Sequence, residues 1–145
     1  LLHLVVRVAP LRAGAAVVMA AILRGLAVPR LRPALDRVAT GAAARDVTAA
    51  LATTRHMAIA RAQRARLVIA ADSLRLDLWT GTGWSGSTRW PGPAAHRVTL
   101  QGSNPVVAYA PNGVGWGGAN TAITLRRGLQ VETTTPSRVG RVRRS

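Results

Sequence analysis

Residues 33–66 read PALDRVATGAAARDVTAALATTRHMAIARAQRAR, and this stretch decides the fold. It is rich in Ala, the best helix former, and no Pro follows Pro33. Leu35, Val38, Val47, Leu51, Thr54 and Ala58 recur near three- and four-residue intervals, so one helix with a narrow apolar stripe is predicted. Arg37, Arg45, Asp46, Arg55, Arg61, Arg64 and Arg66 lie outside the stripe as a mostly cationic face. A helix with so little apolar surface needs a partner, and the sequence beyond Leu67 supplies one.

That remainder reads as short strands and turns. The run 67–71 is continuously apolar, and 74–79 alternates strictly, which points Leu74, Leu76 and Leu78 to a core and Arg75, Asp77 and Trp79 outward. Residues 80–93 are rich in Gly, Ser and Pro and read as a loop. Further strands are expected at 97–100, 106–110, 121–125, 129–133 and 139–143, parted by turn sequences such as Pro111-Asn112-Gly113 and Arg127-Gly128. The expected class is α+β, with a long N-terminal helix packed on a C-terminal antiparallel sheet.

Composition narrows the chemistry. All twenty cationic side chains among the 145 residues are Arg, against five acids, for a formal charge of +15. Such a surface attracts polyanions, although an Ala- and Arg-rich, Lys-free chain is also what a GC-rich genome encodes. Without Lys there is no phosphate-loop lysine or Schiff base, and without Cys no thiolate, disulfide or zinc knuckle. Two G-x-G-x-x-G matches, at Gly81/Gly83/Gly86 and Gly113/Gly115/Gly118, lack the following helix that would receive a pyrophosphate. His3, His56 and His96 sit in separate elements without a second ligand at metal spacing, and no nucleophile elbow occurs. No catalytic residue, metal ligand or cofactor site is therefore expected, and no small-molecule substrate.

Three segments carry a resemblance. Ala44-Arg45-Asp46-Val47 through Arg55-His56-Met57-Ala58-Ile59-Ala60-Arg61, followed at once by a strand, resembles the helix-to-strand junction of the GspH/FimT family of minor pilins and pseudopilins. Tyr109-Ala110-Pro111-Asn112-Gly113 is similar to that family's F-x-P-D-G turn, and Val139-Gly140-Arg141-Val142-Arg143 to its closing G-R-V-R strand. They occur in the family's order across about two-thirds of the chain, from Ala44 to Arg144.

The resemblance implies a pilin-like division into an N-terminal hydrophobic segment, 1–32, and a head with its supporting helix, 33–145. It also implies single-pass anchoring in a bacterial inner membrane, a periplasmic head, and other pilins or pseudopilins of the fibre tip as partners. The N-terminus departs from the pattern. Within residues 1–28 the longest uncharged run, 13–23, is shorter than the roughly 20 residues of a membrane span, and Arg24 follows it. Gly14 and Ala15 stand where prepilin cleavage is expected, with Ala15 replacing the family's Phe and Met19 its Glu. In an alternative register Leu1-Leu2-His3-Leu4-Val5-Val6 overlies the family's L-I-E-L-L-V. The chain begins without Met, as expected of a processed, truncated or misassigned start.

Arg138, Gly140, Arg141, Arg143 and Arg144 are the sharpest candidate site. In an extended strand Arg141 and Arg143 project from one face about 7 Å apart, close to the spacing of successive phosphates. Gly140-Arg141-Val142-Arg143 also resembles the G-R-x-R motif associated with DNA uptake in natural transformation in the FimT-type branch, which implies double-stranded DNA as a partner, and the bland alternative is a last sheet strand with solvated Arg. Trp84, Trp90 and Trp116 in Gly-rich sequence either cover a thin core or form a patch for a partner or for bases. Three readings remain: a fibre subunit acting by assembly, a DNA receptor at a pilus tip, and a basic nucleic-acid-binding domain unrelated to pili.

Overall fold

The computed structural model describes residues 2–117 and 121–145, with side chains from residue 31 onward. Among the described residues one helix, α1 (Leu2–Arg61), is followed by nine strands: β1 (Ala65–Ile69), β2 (Ser73–Trp79), β3 (Trp84–Pro91), β4 (Thr99–Gln101), β5 (Val106–Tyr109), β6 (Gly115–Trp116), β7 (Ile123–Arg127), β8 (Gln130–Pro136) and β9 (Val142–Arg144). A 3₁₀ turn, Pro93–His96, links β3 to β4. The chain divides into two units, Leu1–Leu35 and Asp36–Ser145. The second holds the core and is the α+β arrangement of a helix on antiparallel sheets.

Two sheets form instead of the single one expected. The first has strand order β3-β2-β1-β5-β6 and the second β4-β7-β8-β9, with all pairings antiparallel. The buried helix face is built from small side chains: Thr40, Ala43, Ala44, Val47, Ala50, Leu51, Thr54 and Ala58. They pack with Leu67, Ile69, Leu74, Val107 and Tyr109 of the first sheet and Ile123 and Leu125 of the second. Buried Thr54 donates its hydroxyl to Ala50 O at 2.7 Å and Thr40 to Asp36 O at 2.6 Å, so each joins an apolar face without an orphaned donor.

Several expectations are corrected. Leu35 and Val38 are 57% and 66% exposed, because the buried face runs in the phase of Thr40, Ala44, Val47, Leu51, Thr54 and Ala58. The helix ends at Arg61, not Arg66. Ala62 takes a left-handed conformation, φ 49°, while Ala62 N donates to Ile59 O and Gln63 N to Ala58 O, the paired bonds of a Schellman ending. No Gly marks this stop. Pairing of Ala65 with both Leu78 and Tyr109 requires the chain to be extended there, and it overrides local helix preference.

The expected loop 80–93 contains strand β3, which pairs with β2 from Trp79↔Trp84 to Ser73↔Pro91 and shifts register between Leu76 and Asp77. Its Gly and Ser fit an exposed edge, where strand propensity counts for less than a template's free backbone groups. Asp77 is the clearest reversal, being 2% exposed although it lies on the outer side of its strand. It accepts hydrogen bonds from Arg66 Nε at 2.9 Å and from Arg75 Nε at 2.9 Å and Nη2 at 3.2 Å, so its charge is covered by two guanidinium groups.

Four of the five acids are used to tie elements together. Asp36 of the helix pairs with Arg127 at 2.9 Å, Asp46 of the helix with His96 at 2.6 Å, Asp77 with Arg66 and Arg75, and Glu132 with Arg144. Most arginines are left without a carboxylate among the described residues.

Thr134 is fully buried and its Oγ1 has no hydrogen-bond partner among the described residues. An orphaned buried hydroxyl costs about 1–3 kcal/mol, and Val has nearly the same shape. Thr134→Val is therefore expected to raise stability by about 1 kcal/mol, read as a higher denaturation midpoint at unchanged slope.

Candidate functional site

The expected C-terminal strand 139–143 is a turn in its first half. Gly140 N donates to Ser137 O at 2.9 Å, Ser137 N to Arg141 O at 2.7 Å, and Arg141 N to Ser137 Oγ at 3.0 Å. Only then does β9 begin, at Val142, pairing with β8 through Pro136↔Val142, Thr135↔Arg143 and Thr134↔Arg144. Arg141 and Arg143 therefore do not share one extended face as expected. Arg138, Arg141 and Arg143 are all exposed, and the last two border an open groove of about 750 Å³ with Thr135, Ser137, Val139 and Ser145. Arg144 is withdrawn from this set, because its Nε donates to Glu132 Oε1 at 2.6 Å.

Gly140 serves packing. Its φ is +82°, and a Cβ there would fall 2.5 Å from Arg55 Nε and 2.8 Å from Arg55 Cδ. Arg55 leaves the helix between two turns: its Nε donates to Gly113 O at 2.9 Å, and Gly113, at φ +79°, likewise leaves no room for a Cβ beside Ile59. Two of the family-like segments, the Pro111-Asn112-Gly113 turn and the Gly140 turn, thus close on one helix arginine. Gly113 N donates to Ala110 O and Val114 N to Asn112 Oδ1, which builds the first turn. Burial pushes the neighbouring Tyr109 phenol above its ordinary range, and the Arg55 guanidinium pulls it back in part.

The tryptophans are on strands, not loops. Trp90 packs against the core as one of the expected alternatives, whereas Trp116 is 49% exposed. Trp84 meets Trp79 edge to face at 5.3 Å, with Arg66 over its ring at 4.5 Å, and Arg64 lies over Trp116 at 4.7 Å. Arg55, Arg64, Arg66 and Trp79 were invisible as site residues in the sequence. The alternation that put Trp79 on the outer side of β2 was the available signal.

Asp46 and His96 also meet across fifty positions, at the rim of a cleft of about 390 Å³ walled by Ala49, Ala50, Leu74 and Trp90. Among the described residues no three His, Asp or Glu side chains gather as a metal site, and no helix is long and apolar enough to cross a membrane. The cleavage pair Gly14–Ala15 falls among side chains outside the described residues.

No family model and no curated protein matches the chain. Solved structures do. The crystal structure of the type IV minor pilin FimU of Pseudomonas aeruginosa is similar over 74% of this chain and 88% of its own, with TM-score 0.56 and 15% identity. A second crystal form of FimU gives 72%, 91%, 0.53 and 13%. The minor pseudopilin EpsH from the type 2 secretion system of Vibrio cholerae is similar over 73% of this chain and 95% of its own, with TM-score 0.51 and 13% identity. The fold is accordingly that of the minor pilins and minor pseudopilins, a long helix carrying antiparallel sheets, as the resemblance to the GspH/FimT family implied.

Proposed function

We propose that this chain is a minor pilin or pseudopilin subunit of a type IV pilus or type II secretion fibre. It acts by assembly: the helix packs among neighbouring subunits and the β head meets other subunits of the tip. The division into an N-terminal membrane segment, 1–32, and a head, 33–145, belongs to this reading, as do single-pass inner-membrane anchoring, a periplasmic head, and processing at Gly14–Ala15. The observation that carries it is the likeness to FimU and EpsH over nearly three quarters of the chain, together with a 60-residue helix whose buried side chains among the described residues, Thr40 to Ala58, lie on one face. Val38, apolar and 66% exposed, is surface left over for a neighbour.

The test uses the full chain in a bacterium that assembles such a fibre. It should sediment with membranes and resist extraction by high salt. The chain has no cysteine, so Val38→Cys introduces a unique thiol; alkylated with a maleimide-benzophenone reagent and irradiated, it is expected to cross-link by C–H insertion to another fibre subunit. A chain released by salt and giving no cross-link would overturn the assembly role.

A second reading, reception of double-stranded DNA, is favoured by one observation: Arg138, Arg141 and Arg143 are exposed and have no carboxylate partner among the described residues. These three are its residues, with Gly140 shaping the turn and Arg144 held back by Glu132. Replacing all three with Gln should weaken duplex binding uniformly across sequences and flatten the dependence of log K on log salt by about 0.9 for each lost phosphate contact. Unchanged affinity and slope would exclude this turn.

Gly140→Ala separates packing from contact. A left-handed non-Gly residue costs about 1–2 kcal/mol, and Arg55 must also move. The variant should be destabilised by at least that amount without DNA present, as measured by denaturant unfolding.

A further inference from the structure

The outer side of the first sheet, turned away from α1, is organised in three rows across the strands. Register places Trp84 beside Trp79, and Trp79 N donates to Arg64 O at 2.8 Å, which makes the first row. The second runs Gly86, Asp77, Arg66, Ala108, Trp116. Arg89, Arg75, Val68 and Val106 form the third. Three of the chain's four tryptophans and four arginines therefore share one face, with a single acid.

Diagonal contacts join the rows. Arg66 lies over Trp84 at 4.5 Å and Arg64 over Trp116 at 4.7 Å, so guanidinium and indole planes alternate across the face. Asp77 is engaged by both Arg66 and Arg75 and adds no open carboxylate. Small residues, Gly86 and Ala108, flank the central positions and keep the floor low between the rings. From β3 to β6 there are four strand spacings, about 19 Å in all. At the far end Gly115 N donates to Arg138 O at 2.6 Å, which sets the exposed cationic turn directly beside Trp116.

We infer that this face binds single-stranded nucleic acid, with unstacked bases on Trp84, Trp79 and Trp116 and the phosphates on Arg64, Arg66, Arg75 and Arg89 of the same face. The charge selects an anionic ligand, and the indole rings, Trp116 exposed and Trp79 and Trp84 half-buried, select a flat one. A duplex offers only the charge component, because its bases are already stacked. The site is distinct from the C-terminal arginines of the DNA-receptor reading and does not depend on the fibre role.

The experiment titrates the full chain with twelve-nucleotide oligo(dT) and oligo(U), the matching twelve-base-pair duplex, and heparin, at about 150 mM salt. Label anisotropy and intrinsic Trp fluorescence are followed together. At least one single strand should bind more tightly than the duplex and quench the fluorescence, and the stronger of the two shows whether DNA or RNA fits the face. Trp84→Ala and Trp116→Ala should each weaken binding by fivefold or more, the range of one lost stacking platform. Trp84→Phe and Trp116→Phe should keep most of the affinity.

Three results would overturn the inference: single-strand binding at saturation without quenching, Trp→Ala variants as tight as the parent, or duplex or heparin bound as tightly as the single strands. If the Ala variants do not fold, the Phe variants and the quenching of the parent protein still decide. Separately, replacing Arg138, Arg141 and Arg143 with Gln should cost the single strand much less than the loss of either ring, which keeps this site's failure distinguishable from that of the C-terminal turn.

Discussion

Everything in the head depends on how closely one helix face approaches two sheets. Ala43, Ala44, Ala50 and Ala58 project a single methyl each, and Val47, Leu51 and Thr54 fill the space between them. With no Phe in the chain, the core has few large side chains with which to bridge wide gaps, so short separations replace volume. Tyr109, the largest fully buried side chain among the described residues, lies beside Arg55.

Arg55 extends that docking to the end of the helix. Its guanidinium lies between the Gly113 and Gly140 turns, which belong to segments far apart in sequence, and it hydrogen-bonds the first of them. A long cationic side chain thus works as a spacer whose stem packs and whose head binds a carbonyl. Both turns need left-handed glycines because a Cβ at either would strike the helix side chains. The same constraint explains why residues 137–141 form a turn rather than the beginning of a strand.

Charge is distributed by scarcity. Asp36, Asp46, Asp77 and Glu132 are spent on pairs that link elements, and the partly exposed ones, at Asp36, Asp46 and Glu132, contribute little stability each. Their larger effect is on what remains: a head carrying many arginines without a carboxylate among the described residues, Arg64 over an indole ring and others at the C-terminal turn. A head with that surface meets anionic molecules at long range.

The sequence by itself determined the class: Ala-rich three-and-four periodicity makes a helix, alternation at 74–79 makes a half-buried strand, and Pro-Asn-Gly and Arg-Gly pairs make turns, all through interactions spanning a few residues. Tertiary structure decided what local preference cannot encode. Pairing with β2 turned a Gly- and Ser-rich loop into β3, and pairing of Ala65 on two sides ended the helix at an alanine. Two arginines from neighbouring strand positions buried Asp77 on a nominally exposed side. The phase of the buried helix face left Leu35 and Val38 outside, because the sheets fixed which way the helix rolled. The candidate surfaces follow the same division: the C-terminal arginines were legible as letters, whereas the rows of Trp and Arg exist only because strand register sets residues 64 to 116 side by side.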